Sequence, residues 1–336
     1  RSPNGFYLRI RSAALEPTFR RTIPDNSYYI AGITGTHIYL GDLKTPGHLY
    51  ISDLAFKDTQ TTTLTFTSKL QTRSTTLVVD SPNVNLSDYN SGILLSGRLQ
   101  DKAIIMDKAD SFFFIDQVPV SANSIVRRTL NNQQTVYLLS KIRKHPFQNG
   151  VNFPLSKQTE GLFSTDGMLA LDKTEQTIVY TYFYRNQFIC LDTNLNLRFI
   201  GNTIDTNHYA KIKVGKIESE KSLTLSAPPL IVNNKSCVSQ GILYIQSVLK
   251  ADNEDETTFT QSAVIDLYAL RDGKYRGSLY LRNERETRLF DFKISGNKLI
   301  ALFDGYAALF EIDPGLISQL RVDRSKQFGG SEREGL

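Results

Sequence analysis

Runs of about six to eight residues rich in Ile, Val, Leu, Thr, Tyr and Phe recur along this chain, separated by short turn clusters. The clearest unit is "YYIAGIT-GT-HIYLGDL-KTPG-HLYISDLAF" (28–56), followed by "TTTLTFTS" (61–68). It reads as four antiparallel strands joined by tight turns. "VNLSDYNSGILLSGRL" (84–99) repeats its middle hairpin. No stretch sustains apolar spacing at i, i+3, i+4 and i+7 behind a capping box, so helices play little part.

The cadence continues. A first unit covers about 28–68 and a second about 75–108. The third holds "FFFIDQV", "SIVRRTL", "TVYLLSKI" and a weak fourth strand near "VNFPLS". The fourth has "MLALD", "TIVYTYFY", "QFICLD" and "LRFIGNTI", the fifth "SCVSQ", "ILYIQSVL", "AVIDLYAL" and "YRGSLYL", and the sixth "LFDFKIS", "KLIALFDG" and "ALFEID". Small meanders repeating at roughly fifty residues predict an all-β fold, a six-bladed β-propeller. The sixth unit lacks a fourth strand. "FYLRIRS" (6–12) is assigned to supply it, so that the N-terminus closes the last blade, with "QLRVD" (319–323) as competitor. The alternatives are a seven-bladed ring using 210–227 as a degenerate blade, or a two-domain sandwich. Residues 1–323 are expected to form the propeller and 324–336 a disordered polar tail.

"IVYTYFYRNQFICLD" (178–192) is apolar or aromatic on both faces. An aromatic ligand platform would do this, but so would a strand packed between neighbouring blades. The second reading places Tyr180, Tyr182 and Phe183 in the core, their hydroxyls needing internal partners.

The net charge of +5 on 336 residues is thinly spread. Its clusters, Arg20-Arg21, Arg127-Arg128 and 141–144, lack the density and interleaved aromatics of a nucleic-acid stripe and read as solvated strand faces. No run is long enough for a membrane-spanning helix. The chain opens at Arg1 without methionine and is read as a processed or trimmed product, so that any signal peptide or lipid anchor would have been lost with the missing segment. Cys190 and Cys237 read as small buried hydrophobes, with a disulfide as the alternative.

In up-and-down blades, the turns between second and third strands share a face with the blade-to-blade connections. That face collects 44–47, 89–91, 131–134, 157–160, 185–186, 203–210, 251–259 and 282–287. These segments are longer and more charged than the Gly/Asn/Asp/Ser turns opposite, which strand reversal alone explains. Lys157, Gln158, Arg185, Asn186, Asp205 and Thr206 are the candidate binding residues there, beside the acidic 252–256 loop. A competing reading makes Arg185 and Asp205 a structural ion pair. The acidic loop lacks the ligand spacing and glycine of an EF-hand.

No nucleophile elbow, zinc-protease motif, Walker loop or cysteine-pair metal spacing occurs. His37 and His48 fall too far apart along one hairpin to share a metal, His145 precedes a proline, and His208 stands alone. The absence of tryptophan argues against a quinone-dependent propeller.

The combination "KQTEGLFSTDGMLALD…IVYTYFYRNQFICLD…NTIDT" resembles the secreted or periplasmic six-bladed propellers of Bacteroidetes, TolB-like in architecture. That resemblance implies an envelope location and a binding or scaffolding role. The expected function is non-enzymatic capture of a protein, peptide or glycan partner without a cofactor. The alternative is a lactonase-like hydrolase with a carboxylate-bound calcium in the channel.

Overall fold

Alternate residues of one strand feed two different cores, and this is what turns the sequence pattern into a ring. In the fourth blade the strands Gly167–Asp172, Thr177–Tyr182, Gln187–Asp192 and Leu197–Asn202 pair in chain order. Ile178, Tyr180 and Tyr182 pack with Val126 and Leu139 of the blade before. Val179, Phe188 and Cys190 pack with Leu243, Ile245 and Tyr268 of the blade after. Every residue of Thr177–Tyr182 is buried. A strand covered on both sides loses its polar face, which is why the alternation of a half-exposed sheet is missing.

The computed structural model shows six such blades around a central channel, at 28–63, 75–107, 114–154, 167–202, 233–282 and 289–311. It describes residues 4–321 apart from 8, 24–25, 67–69, 71, 73, 102–103, 108–113, 134, 145, 147, 160–161, 218–221 and 284–286. The predicted tail 324–336, His145, Glu160 and part of the 282–287 loop therefore lie outside the described residues. No described helix is long and apolar enough to cross a membrane.

The first strand of each blade lines the channel, and several are pinned to the next blade by a polar side chain. Tyr29 Oη accepts from Leu77 N at 2.6 Å, Asp116 Oδ2 from Leu169 N at 3.0 Å, and Asp291 Oδ2 from Ile30 N at 3.0 Å. Gly32 is required at one such approach. A Cβ there would stand 2.3 Å from the Val79 carbonyl oxygen.

Closure uses the N-terminal segment, but not the predicted stretch. Phe19–Thr22 pairs antiparallel with Tyr306–Leu309 to complete the sixth blade. The strand Arg11–Leu15 instead runs parallel to residues 278–281 and makes the fifth blade five-stranded. The reason is Arg9, whose buried guanidinium holds 6–12 against the fifth blade. It bonds both oxygens of Asp266 (3.1 and 3.0 Å), Glu254 (2.5 Å), the Leu249 carbonyl (2.8 Å) and Ser247 Oγ (2.7 Å). Of the competing stretch, Gln319–Arg321 belongs to the helix Pro314–Arg321, and 322–323 lie outside the described residues. The degenerate-blade candidate forms only a two-stranded hairpin, Val214–Ile217 with Ser222–Leu225, so the ring has six blades rather than seven.

Candidate functional site

Three of the connections expected on one face, at 156–158, 185–186 and 203–210, are bonded to one another. Asn186 N donates to Asn207 O at 2.8 Å and Thr203 N to Asn186 O at 3.0 Å. Asn186 Nδ2 reaches Asp205 O at 2.6 Å. Asn233 Nδ2 ties the carbonyls of Tyr182 and Arg185 at 2.9 and 3.1 Å. Gln158 bridges two connections, its Nε2 donating to His208 O and its Oε1 accepting from Ala210 N, both at 2.9 Å. The result is a stitched polar platform across the third to fifth blades.

Within it, the candidate residues separate into inside and outside. Asn186 and Asp205 are buried and Gln158 is half-buried, while Lys157 and Thr206 are exposed. Thr206 Oγ1 donates to Asn4 O at 3.2 Å, joining the platform to the N-terminal segment. Tyr209 and Tyr7 carry their rings outward, 76% and 64% exposed.

The ion pair proposed between Arg185 and Asp205 is not formed. Asp205 spends its oxygens on Thr203 Oγ1 (2.6 Å) and on the backbone and side-chain nitrogens of Asn207 (2.8 and 3.0 Å). Arg185 turns the other way. Its Nη2 donates to Ser156 O at 3.0 Å and its Cζ lies 3.6 Å from the Tyr182 ring centroid. The residue is 1% exposed, yet among the described residues Nε and Nη1 have no hydrogen-bond partner. Burial pulls the Arg185 pKa below the usual arginine value, partly offset by Tyr182.

The aromatic stretch is core, as expected. Tyr180 Oη donates to Thr165 O at 2.6 Å and accepts from Arg128 at 3.3 Å, and Tyr182 Oη accepts from Ser156 N at 3.3 Å. Phe183 is only half-buried. Burial drives the Tyr180 and Tyr182 hydroxyls upward, so both stay neutral.

The acidic loop is an anchor. Asp252 accepts from Asn4 N and Gly5 N at 2.7 and 2.8 Å, Glu254 holds Arg9 and the Tyr280 hydroxyl, and Asp255 caps the short helix Glu256–Thr260 through Thr258 N at 2.8 Å. Among the described residues no group of three His, Cys, Asp or Glu side chains gathers as a metal would require. Gly41 pairs with Leu49, so His37 and His48 stand at opposite ends of their strands. Both cysteines are free and buried, in different cores.

Sequence reasoning missed Arg9 with Asp266 and Glu254, and it missed Lys293 in the channel. A signal existed for two of these: Asp266 interrupts "AVIDLYAL" and Lys293 interrupts "FDFKIS", each a charge inside a buried-strand pattern.

Among solved structures, a member of the DUF4221 family from Bacteroides vulgatus matches with a TM-score of 0.51 and 11% identity, over 88% of this chain and 97% of that one. What it shares with this chain is the fold. A nidogen/laminin complex matches with a TM-score of 0.46 and 11% identity, over 85% and 84% of the two chains. A catalytically inactive virginiamycin B lyase from Staphylococcus aureus with quinupristin gives 0.47 and 9%, over 87% and 98%. No protein-family model matches this chain. No curated protein matches it.

Proposed function

We propose that this is a non-enzymatic binding or scaffold protein of the cell envelope, holding a protein, peptide or glycan partner on the platform face. The observation that carries the reading is Arg185. Among the described residues this buried cation has two unused donors and no carboxylate partner, which is expensive, and such groups call for an explanation beyond packing. Its uncompensated charge lies next to Ser156, whose neighbour Lys157 is exposed. Together they make a positive spot on an otherwise self-satisfied polar floor. The outward Tyr209, flanked by the two residues that Gln158 holds, supplies the rigid aromatic area that interfaces favour. This composition suits a polar partner bearing an acidic group better than a lipid, which would want an uncharged cleft. The envelope location rests on the sequence resemblance alone.

The test is capture from the native envelope by immobilised wild-type protein and by Lys157→Glu. Charge reversal at this exposed site leaves the fold intact and should reduce capture of the specific partner by tenfold or more. Equal capture by both proteins would remove the platform as the binding surface.

A further inference from the structure

The channel carries a separate feature at its other end. A cavity of about 500 Å3 runs from the middle of the first strands to the turns that follow them, on the side opposite the platform, and all six blades contribute to its wall. Each first strand is the unpaired edge of its sheet, so backbone groups without a strand partner border the space. Among them stand three carboxylates, Asp80, Asp116 and Asp172, and two ammonium groups, Lys173 and Lys293. A wall of this kind suits a polar molecule, and the volume is that of a small-molecule site.

Most of these charges are committed to one another or to the backbone. At the mouth, Asp80 and Lys173 pair with each other across the blade between them. Asp172 accepts from the backbone N–H groups of Thr174, Glu175 and Gly241 at 2.9, 3.1 and 2.6 Å. Deeper in, Asp116 accepts from Gln117 N at 2.8 Å on one oxygen and from Leu169 N at 3.0 Å on the other, which leaves each oxygen a second lone pair. No side chain bonds it among the described residues. Arg128 acts on it only through space, its guanidinium being bonded to Asp166 and the Tyr180 hydroxyl. Lys293 belongs to the sixth blade, opposite the third. Phe292 and Ile294 on either side of it turn into the core between the fifth and sixth blades, and Lys293 lines the cavity. It attracts Asp116 electrostatically, but among the described residues it makes no hydrogen bond and no ion pair. An ammonium and a carboxylate thus border one space from opposite blades without touching.

We propose that the channel binds a small zwitterion, a free amino acid or dipeptide, with its carboxylate on Lys293 and its ammonium on Asp116. Charge-assisted hydrogen bonds at the two ends occupy the donors of the lysine and the spare lone pairs of the aspartate. The wall selects against molecules with a single charge. Its three carboxylates outnumber its two ammonium groups, so a plain anion adds to the excess, while a plain cation leaves Lys293 unmet. A neutral sugar forgoes both charged contacts. Aliphatic stretches of the wall at Ala31, Val78 and Val118 remain for the ligand's side chain. This site is independent of the platform, and its test reads different residues.

Binding of leucine, glutamine and leucyl-glutamine is measured by calorimetry. Each is run beside its N-acetylated form, which lacks the ammonium, and its C-terminal amide, which lacks the carboxylate. We expect at least one zwitterion to bind with one-to-one stoichiometry and to exceed both blocked forms by about 10- to 100-fold, the factor for a charge-assisted hydrogen bond. Binding by the amino acids or by the dipeptide tells the two sources apart. Lys293→Met should cancel the preference over the amide, and Asp116→Asn the preference over the N-acetylated form. Unfolding temperatures establish that each variant is folded. Lys293→Gln replaces Lys293→Met if it is not, and should Asp116→Asn unfold, the lysine variant decides alone. Failure of all three zwitterions to bind, equal binding of the blocked forms, or an unchanged preference in a folded variant overturns the proposal.

Discussion

Two buried arginines in this molecule should respond in opposite ways to the same substitution. Arg185→Met removes a guanidinium that, among the described residues, has one hydrogen bond and one ring contact, with Nε and Nη1 unpaired. Each unused donor costs about 1–3 kcal/mol, the ring returns about 2 kcal/mol, and the charged hydrogen bond returns about 1.5–3 kcal/mol. Desolvating the charge costs several kcal/mol more, whereas methionine of similar length keeps the packing. Ser156 O loses its donor, at about 1 kcal/mol. At mid-range these terms favour the variant by roughly 3 kcal/mol. With about 2.1 cal/mol/K of unfolding entropy per residue, that is a rise in Tm of about 4 °C for a chain of this size. Arg9→Met strands the carboxylates of Asp266 and Glu254 beneath the N-terminal segment. Breaking a buried pair in this way costs about 3–5 kcal/mol, or about 4–7 °C. Calorimetry of both variants, run beside the wild type, decides the matter. If Arg185→Met falls as far as Arg9→Met, the guanidinium is a structural tie and the argument for an unspent binding group collapses. A rise together with loss of partner capture is the expected pairing.

The cysteines offer a simpler check: burial raises both thiols to about 12, so neither should react with a thiol reagent at pH 8 until denaturant opens the ring. A rapid native reaction would place one of them at the surface. Burial alone would raise the Asp192 carboxyl, but Asn196 and the backbone of Asn194 and Asn196 hold it below the usual carboxylate range. Its stabilisation is therefore present above the unfolded pKa and disappears as pH falls through the lowered folded value. Asp192→Ala should cost about 1 kcal/mol at pH 7, and urea titrations should show the gap to wild type closing below about pH 4. A gap that stays constant to pH 2 would contradict this assignment.

The blades were readable because two-sided burial writes itself into every strand, and "TIVYTYFY" needs no neighbour to declare that it is covered. Which segment closes the ring was not. Both 6–12 and 19–22 are extended and basic, and the choice between them depends on Asp266, more than two hundred residues away. The platform face followed from strand alternation, as did the nearness of 185–186 to 203–207. The state of each side chain did not, because Asp205 finds Thr203 and Asn207 only through the local path of the loop. Lys293 carried the clearest unread sign, a charge between Phe292 and Ile294 whose destination required the opposite blades to be in place.

The closing strand also sets a schedule for the nascent chain. Phe19–Thr22 leaves the ribosome long before its partner Tyr306–Glu311, the last strand of the ring. The first four blades can form from neighbouring segments while this strand waits with an unsatisfied edge, the kind of surface on which half-made proteins stick together. Its sequence is Phe-Arg-Arg-Thr, and Arg20 and Arg21 remain exposed even in the finished ring. Two adjacent positive charges repel a second copy of the same edge, and would do so throughout the interval before the sixth blade arrives. The arginine pair that looked like incidental surface charge would keep the strand single until its own blade is ready to receive it.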